Sequence, residues 1–388
     1  MITLSTADNA LKTFYLDAVT ESLDCKANPL LAKIQRSTSD VVGKDVKKLV
    51  KYGVNGGISA GTETGALPVS GEADSLTFTA SLKNLYGTIE ISDKALRASA
   101  NDEGAFVNLL NDEMKSLIKS ASYNFGRMLY GDGTGNLATL VGKMEGKYIV
   151  TSVAGIVEGM LVDFITYEGQ VLSNVVAAKV TSVDRANNMI EVETKEEITD
   201  VGDYTGVYIQ GSYQKEITGL KAIFENENLY GVDRTKYGAL KPYDKADVGE
   251  ISENVIQTAI DEIEENSGSQ INFIVCSWGV RRALVEYYKQ YKTMMPSMEI
   301  EGGFKALSFN GIPVVADRFC PEGTMYLLNT DDFKLHQLCD WKWLEGEDGK
   351  ILKQIPGKPV YTATLVKYAE LMCERPNGQG RLTNIAEA

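Results

Sequence analysis

The strongest hydrophobic pattern in the chain has the period of an α-helix. From Asn101 to Leu129, apolar residues follow one another in steps of three and four over about eight turns. Asp102 and Glu103 fall in the first turn, where carboxylates suit the helix dipole. At 1.5 Å per residue, the pattern predicts a helix roughly 40 Å long. Shorter runs of the same period predict helices over 250–266 and 280–292, and a weak one over 11–23.

A second pattern, with a period of two, surrounds a glycine-rich stretch. Leu76 and Phe78 alternate with polar residues up to Leu82, and Ile89 and Ile91 resume the alternation further on. The preceding residues 53–71 contain six glycines and one proline, so they cannot form a helix and have little to bury. The alternation predicts that the two halves of 75–92 form a strand pair, and that 50–92 as a whole is a long, extended two-stranded loop. Loops of this length are uncommon and usually functional.

The remainder of the chain alternates between strand-rich and mixed segments. Residues 145–213 carry β-branched and aromatic runs separated by turn residues, which predicts a small barrel or sandwich. A buried strand at 271–277 lies between two predicted helices, which indicates a layered α/β unit. Later apolar runs predict further strands at 305–310, 312–317, 324–329, 333–339 and 359–376.

Glycines occupy every second position after the long helix, in the stretch SYNFGRMLYGDGTGN (122–136). A phosphate-binding glycine loop comes between a strand and the N-terminus of the following helix, whose free N–H groups bind the anion. Here the glycines follow a helix C-terminus, which carries partial negative charge. We therefore predict a structural turn, with Gly131 as the left-handed residue that ends the helix.

The composition limits the classes of partner. The 388 residues carry a net charge of −14, so a groove that grips nucleic acid or an anionic membrane is not expected. The four lysines of VVGKDVKKLVKY (41–52) are interpreted as a solvated face. The five cysteines lack paired spacing and indicate reduced thiols in a cytoplasmic protein. We expect no secretory signal and no membrane span.

Candidate chemistry is sparse. The one histidine, His336, precedes Cys339 by three residues, but a strand pattern around them places the two side chains on opposite faces. No Gly-Lys pair has the glycine that a P-loop requires, and no G-x-S-x-G occurs. A zinc site is not expected with one histidine and scattered cysteines. The sequence thus predicts no enzyme, and no catalytic, cofactor or metal residues.

Five segments, in order, resemble the major capsid proteins of tailed bacteriophages. LKNLYGTIEISDKALRAS (82–99) is similar to the return of that family's extension loop, and NLLNDEMKSLIKSASYNFGRMLYGDGTGN (108–136) to its spine helix and the following turn. The central and late strands are similar to EITGLKAIF (216–224) and FKALSFNGIPVVADRFCPEGTMYLLNTDDFKL (304–335). The closing strand is similar to YTATLVKYAELMCERPNGQGRLTNI (361–385). Residues 145–213 resemble the β-barrel insertion that some members carry.

The resemblance implies an α+β phage major-capsid fold with a β-barrel-like insertion. It implies the following division of the chain: an N-terminal arm (1–47), an extension loop (48–92), the spine helix with the start of the peripheral domain (93–140), the insertion (141–214), more of the peripheral domain (215–245), the axial domain (246–335) and closing strands (336–388).

The function implied is that of a shell subunit. Copies would form pentamers and hexamers around double-stranded DNA without sequence-specific contacts, with scaffold, portal and decoration proteins as further possible partners. The protein would be made in the bacterial host cytoplasm and end in the virion capsid. We expect the assembly contacts in the extension loop to include Gly56, Gly57, Gly61, Gly65, Leu67, Leu76, Phe78 and Lys83.

Some relatives cross-link subunits through a lysine–asparagine bond. Lys83 lies in the corresponding loop, but no partner asparagine or activating carboxylate is evident, so that activity is not inferred. Two alternatives stay open on the sequence alone. One is an encapsulin-like compartment shell, which resembles the same fold. The other is a cytoplasmic α/β enzyme with a β-barrel appendage.

Overall fold

The fold is of the mixed α+β class, as expected, and consists of two compact units. One unit comprises residues 124–222, and the other the chain on either side of it. A computed structural model describes residues 28–41, 43–94, 103–144, 146–166, 168–172, 176–193, 205–291, 297–300, 304–346 and 349–388. The helix predicted over 11–23 lies outside these residues.

A seven-stranded sheet and two helices form the α/β part of the larger unit. Its strand order is β13-β22-β18-β14-β17-β16-β15. Helix α4 (Glu253–Ser267) begins after the N-cap residue Ser252 and is followed by the C-cap residue Gly268, whose φ of 64° is left-handed. The strands are β13 (Tyr243–Lys245), β14 (Phe273–Cys276), β15 (Ser297–Ile300), β16 (Phe304–Phe309), β17 (Ile312–Ala316), β18 (Met325–Leu328) and β22 (Gly380–Leu382), and the helices are α4 (Glu253–Ser267) and α5 (Trp278–Tyr291).

One apolar cluster joins these helices to the sheet. Ile256 and Ile263 of α4, Leu284 of α5 and Ile274 and Leu327 of the sheet belong to it, and each is buried. The helices predicted over 250–266 and 280–292, and the strand predicted over 271–277, are therefore confirmed.

A second sheet contains the long C-terminal strand. Strand β21 pairs with β4 along one edge and with β19 and β20 along the other, and β1 adds to β19 in parallel. Gly87 of β4 leaves room for Leu117 of helix α2, because a Cβ there would lie 3.1 Å from the leucine side chain. The elements are α1 (Pro29–Lys33), β1 (Gln35–Ser37), β4 (Lys83–Ser92), α2 (Glu103–Met128), β19 (Phe333–Trp343), β20 (Lys353–Gln354) and β21 (Val360–Cys373).

The long helix predicted from Asn101 to Leu129 is confirmed as α2 over its described length. Its 26 residues correspond to roughly 39 Å.

The glycine-rich loop joins two strands that differ from the predicted pair. Strand β2 (Asp45–Tyr52) pairs with β3 (Asp74–Ser81), in register from Asp45 opposite Ser81 to Tyr52 opposite Asp74. The predicted pairing of the two halves of 75–92 is wrong, since the second half is β4 and pairs with β21. Four lysines obscured the alternation of Val46 and Val50 in β2, and pairing between strands far apart in sequence leaves no local signal.

Two further expectations are corrected. Gly131 is not left-handed; Gly133 and Gly135, with φ of 83° and 81°, make the turn after α2. The strand β19 contains a bulge between Gln337 and Cys339. His336 and Cys339 consequently pair with Glu370 and Tyr368, which lie on the same face of β21, so the predicted opposite faces are wrong.

The smaller unit contains a closed six-stranded barrel, one of the two β-structures predicted for 145–213. The strand order is β10-β5-β6-β9-β8-β7. Its interior is apolar, with Leu140, Phe164, Val180, Ile190 and Val207 all fully buried. The strands are β5 (Asn136–Met144), β6 (Lys147–Val150), β7 (Leu161–Ile165), β8 (Ala178–Asp184), β9 (Met189–Glu193) and β10 (Gly206–Ile209).

A short connecting region lies between the barrel and the α/β part in sequence. It consists of α3 (Leu220–Glu225), the strand pair β11 (Asn228–Leu229) and β12 (Val232–Asp233), and a 3₁₀ turn (Gly238–Leu240).

Candidate assembly surface

The hairpin formed by β2 and β3 has one face that packs into its own subunit. Phe78 is 0% exposed, and its ring lies 5.5 Å from that of Tyr230, centroid to centroid. The backbone N–H of Thr79 donates to the carbonyl oxygen of Tyr230 at 2.9 Å. The hydroxyl of Tyr230 in turn donates to Leu371 O at 3.0 Å and accepts from Cys373 N at 3.1 Å. Tyr230 therefore ties the hairpin to strand β21.

Charged groups add a second link at the same end of the hairpin. Lys48 Nζ of β2 lies 2.9 Å from Glu374 Oε1, which directly follows β21. Lys334 Nζ lies 3.9 Å from both Glu374 Oε1 and Asp40 Oδ2. The base of the hairpin is thus held by an aromatic contact and by an ion-pair cluster.

The loop between the two strands, residues 53–73, is called the extension loop below, and it presents apolar side chains to solvent. Burying such side chains in an interface would be favourable. The four large apolar residues that the loop exposes are Val54 (89%), Ile58 (86%), Leu67 (90%) and Val69 (88%).

Glycines let the two legs of the extension loop approach closely. A Cβ on Gly57 would lie 2.9 Å from the amide nitrogen of Gly71, closer than real Cβ atoms come to such an atom. At the tip, Gly65 N donates to Thr62 O at 3.1 Å, and a Cβ on Gly65 would lie 2.7 Å from Thr62 Oγ1. The loop therefore has a defined course although its side chains contact little.

The residues expected to make assembly contacts fall into separate environments. Gly57 and Gly65 shape the extension loop, Gly56 and Gly61 have open space around them, and Leu67 is exposed.

The remaining three expected residues lie in the strands. Leu76 is half-buried, and Lys83 begins β4 opposite Ala369 and is also half-buried. Phe78 is buried inside its own subunit, so its inclusion among exposed contacts is corrected. Alternation cannot tell which of two alternating apolar residues meets a core.

Sequence reasoning missed three apolar residues of this surface. Val54, Ile58 and Val69 are as exposed as Leu67. The available signal was that large apolar residues are rare in this glycine-rich stretch, so each one present needs a surface to cover it.

Buried thiols have the properties of structural groups. Burial raises the pKa of Cys276 to about 12 and raises the pKa values of Cys320 and Cys373 well above their ordinary value. A thiol that stays protonated is a poor nucleophile and metal ligand. Within the described ranges, no group of histidine, cysteine, aspartate and glutamate side chains is arranged to hold a metal ion.

A helix that crosses a membrane must be both long and strongly apolar. No helix of the described residues meets both conditions.

No protein-family model and no curated protein matches the chain. Among solved structures, it is similar to a chain of the Cyanophage A-1(L) capsid asymmetric unit, with a TM-score of 0.55 and 12% identity over 93% of this chain and 94% of that chain. A chain of Mycobacterium phage Bobi gives a TM-score of 0.48 at 9% identity over 94% and 92%. The holo-SrpI encapsulin complex from Synechococcus elongatus PCC 7942 gives 0.42 at 9% identity over 81% and 78%. The similarity to the Cyanophage A-1(L) capsid chain shows that this chain has the fold of a phage capsid subunit.

Proposed function

We propose that this protein is the structural subunit of a phage capsid. Copies associate as pentamers and hexamers into an icosahedral shell that encloses double-stranded DNA. The observation that carries the proposal is the extension loop, whose four large apolar side chains are almost fully exposed in one subunit. The fold, which this chain has in common with the Cyanophage A-1(L) capsid, supports the same conclusion.

The occupant of this surface is a second copy of the chain. Fully burying one side chain the size of valine, isoleucine or leucine contributes about 1.5–3 kcal/mol, and four are available. Part of that gain offsets the ordering of the six glycines of the loop. A shell supplies the covering surface many times over, because every subunit both donates a loop and receives one.

The charge and the chemistry of the chain agree with a container. A net charge of −14 disfavours tight binding to phosphates, so packaged DNA would be enclosed without sequence-specific contacts. The protein would act without enzymatic activity or cofactor. Its synthesis in the host cytoplasm, and contacts with scaffold, portal and decoration proteins, belong to the same proposal.

The division into an arm, an extension loop, a spine helix, a peripheral domain and an axial domain also belongs to the proposal. The α/β part with the seven-stranded sheet would be the axial domain, and the barrel would be the insertion.

The test is electron microscopy and sedimentation of the expressed protein, with and without co-expressed phage head proteins. We expect closed particles from the native chain. Deleting residues 55–70 should leave a folded subunit with an unchanged melting curve, because the deleted residues contribute little to the core, but the particles should be lost. A chain that stays monomeric under every condition would contradict the proposal and favour a cytoplasmic enzyme. Particles that enclose protein cargo instead of DNA would favour an encapsulin-like compartment.

Hydrogen exchange tests the ordering of the loop directly. Amides of 53–71 should exchange fast in the free subunit and slowly in particles, since a neighbouring copy then covers them. The control for the deletion of 55–70 is Gly61→Ala, a substitution in the same loop at a position with open space around it, which should leave the particles intact. Equal exchange in the two states would show that the loop does not contact a neighbouring subunit.

A further inference from the structure

The single histidine of the chain is buried next to the base of the hairpin. His336 is 1% exposed and lies in β19, opposite Ser37 of β1 on one side and Glu370 of β21 on the other. Neither ring nitrogen has a hydrogen-bond partner within the described structure. A buried polar group without a partner is costly, and an imidazole is the one side chain whose ordinary pKa lies between pH 5 and 8.

Five charged or titratable groups face this imidazole from the elements packed around it. Asp40, between β1 and β2, places Oδ2 4.0 Å from His336 Nδ1. Lys334 comes from β19 itself, Glu374 from the end of β21 and Lys48 from the hairpin strand β2. Glu370, buried opposite His336 on β21, accepts a hydrogen bond from the backbone N–H of Leu371 at 3.1 Å.

The ion pairs next to His336 form without any charge on the imidazole. Two lysines, Lys48 and Lys334, face two carboxylates, Asp40 and Glu374, at distances of 2.9 to 3.9 Å. A proton on His336 adds a buried positive charge beside these ion pairs, and burial lowers the pKa of His336 below its ordinary value. The added charge repels Lys48 and Lys334, and it competes with them for Glu374 and for Asp40, whose Oδ2 lies 4.0 Å from His336 Nδ1.

We propose that His336 makes the anchorage of the hairpin pH-sensitive: the neutral imidazole leaves the Lys48–Glu374 link in place, and protonation weakens it. Because that link joins β2 to the end of β21, acid loosens the base from which the extension loop projects. The effect on assembly rests on the function proposed above, but the titration itself does not.

The direction follows from linkage. The unfolded chain binds a proton at His336 near pH 6.5 and the folded chain only at lower pH, so the unfolded state holds more protons between the two values. The contribution of the neutral His336 to the free energy of unfolding is therefore fully present above about pH 6.5, and it is lost as the pH falls through the folded-state pKa.

The experiment uses the full chain at a concentration below that at which particles form. Because His336 is the only histidine, its ring C–H resonances follow the titration without any assignment. We expect a midpoint below 6.5. We also expect hydrogen exchange in 45–52, corrected for intrinsic rates, to rise several-fold between pH 7.5 and pH 5, while the amides of β14 stay unchanged. His336→Gln should abolish the rise, and Glu374→Gln should raise exchange in 45–52 at every pH.

A midpoint at or above 6.5, as an ionised Glu370 facing the ring would produce, overturns the proposal. So does an acid-induced rise in exchange that His336→Gln retains. If that variant does not fold, the midpoint of the native chain still decides. A failure of this proposal can be told apart from a failure of the capsid proposal, because the titration is measured on free subunits whether or not particles form.

Discussion

Gly57 and Gly71 stand opposite each other where the two legs of the extension loop come together. A Cβ on Gly57 would lie 2.9 Å from the amide nitrogen of Gly71, and a Cβ on Gly71 would lie 2.8 Å from the amide nitrogen of Gly57. Only glycine fits at either position. Since Ile58 lies on one leg and Val69 on the other, this contact determines how far apart the apolar side chains of the loop are held.

The first prediction follows from that contact. Gly57→Ala should force the legs apart and reduce the yield of particles, with a change of less than about 0.5 kcal/mol in the free energy of unfolding of the free subunit, because the loop lies outside the core. Denaturant unfolding and quantitative sedimentation measure the two effects. Gly61→Ala, which has open space around it, should change neither. Equal particle yields from the two variants would show that the spacing of the legs is unimportant.

The second prediction concerns the anchor of the hairpin. Phe78→Ala should lower the free energy of unfolding by about 3–5 kcal/mol, because it removes a fully buried ring and leaves a cavity beside Tyr230. The control is Leu49→Ala on the outer face of the same hairpin, where the side chain is 59% exposed and the expected change is under about 0.5 kcal/mol. If chemical denaturation shows that both substitutions lower the free energy of unfolding equally, the hairpin does not pack on Tyr230 in solution.

The third prediction concerns the turn after the long helix. Gly135→Ala should lower the free energy of unfolding by about 1 kcal/mol or more, because the φ of Gly135 is 81° and a Cβ there would lie 2.9 Å from Ser212 O. Gly131→Ala should lower the free energy of unfolding by less, because the φ of Gly131 is not left-handed and a Cβ there would lie 3.3 Å from Met128 O. Thermal melting of the two variants gives the order. A larger loss for Gly131→Ala would restore it as the residue that ends the helix.

The fourth prediction is that the barrel folds on its own. A fragment of residues 124–222 contains all six strands and the buried ion pair between Arg127 and Glu216, whose side chains lie within hydrogen-bonding distance. We expect a β-type circular dichroism spectrum and cooperative melting. Phe164→Ala in the fragment should lower the melting temperature strongly, because Phe164 is fully buried in the barrel. A random-coil spectrum from the native fragment would mean that the barrel needs the other unit in order to fold.

Elements with a strong local period could be predicted from the sequence. The long helix, α4, α5 and the strands β16, β17, β18, β19 and β21 each carry a pattern that depends only on residues within a few positions of one another. The same holds for the barrel, where short apolar runs and turn residues alternate through 145–213. A glycine-rich loop too poor in apolar residues to form a core was also evident, as was the shortage of catalytic side chains.

Choices between partners far apart in sequence could be made only by the tertiary structure. Leu76 and Phe78 occupy equivalent positions in an alternating run, yet the fold buries Phe78 completely because Tyr230 lies beside it. Strand β3 pairs back with β2 across the loop, and β4 pairs with β21 some 270 residues away. The bulge in β19 brings His336 and Cys339 to one face, and the fold surrounds His336 with charges from β2, β19 and the end of β21. Local periods fix which residues form helices and strands, but the free energy that selects their partners comes from burial between distant segments.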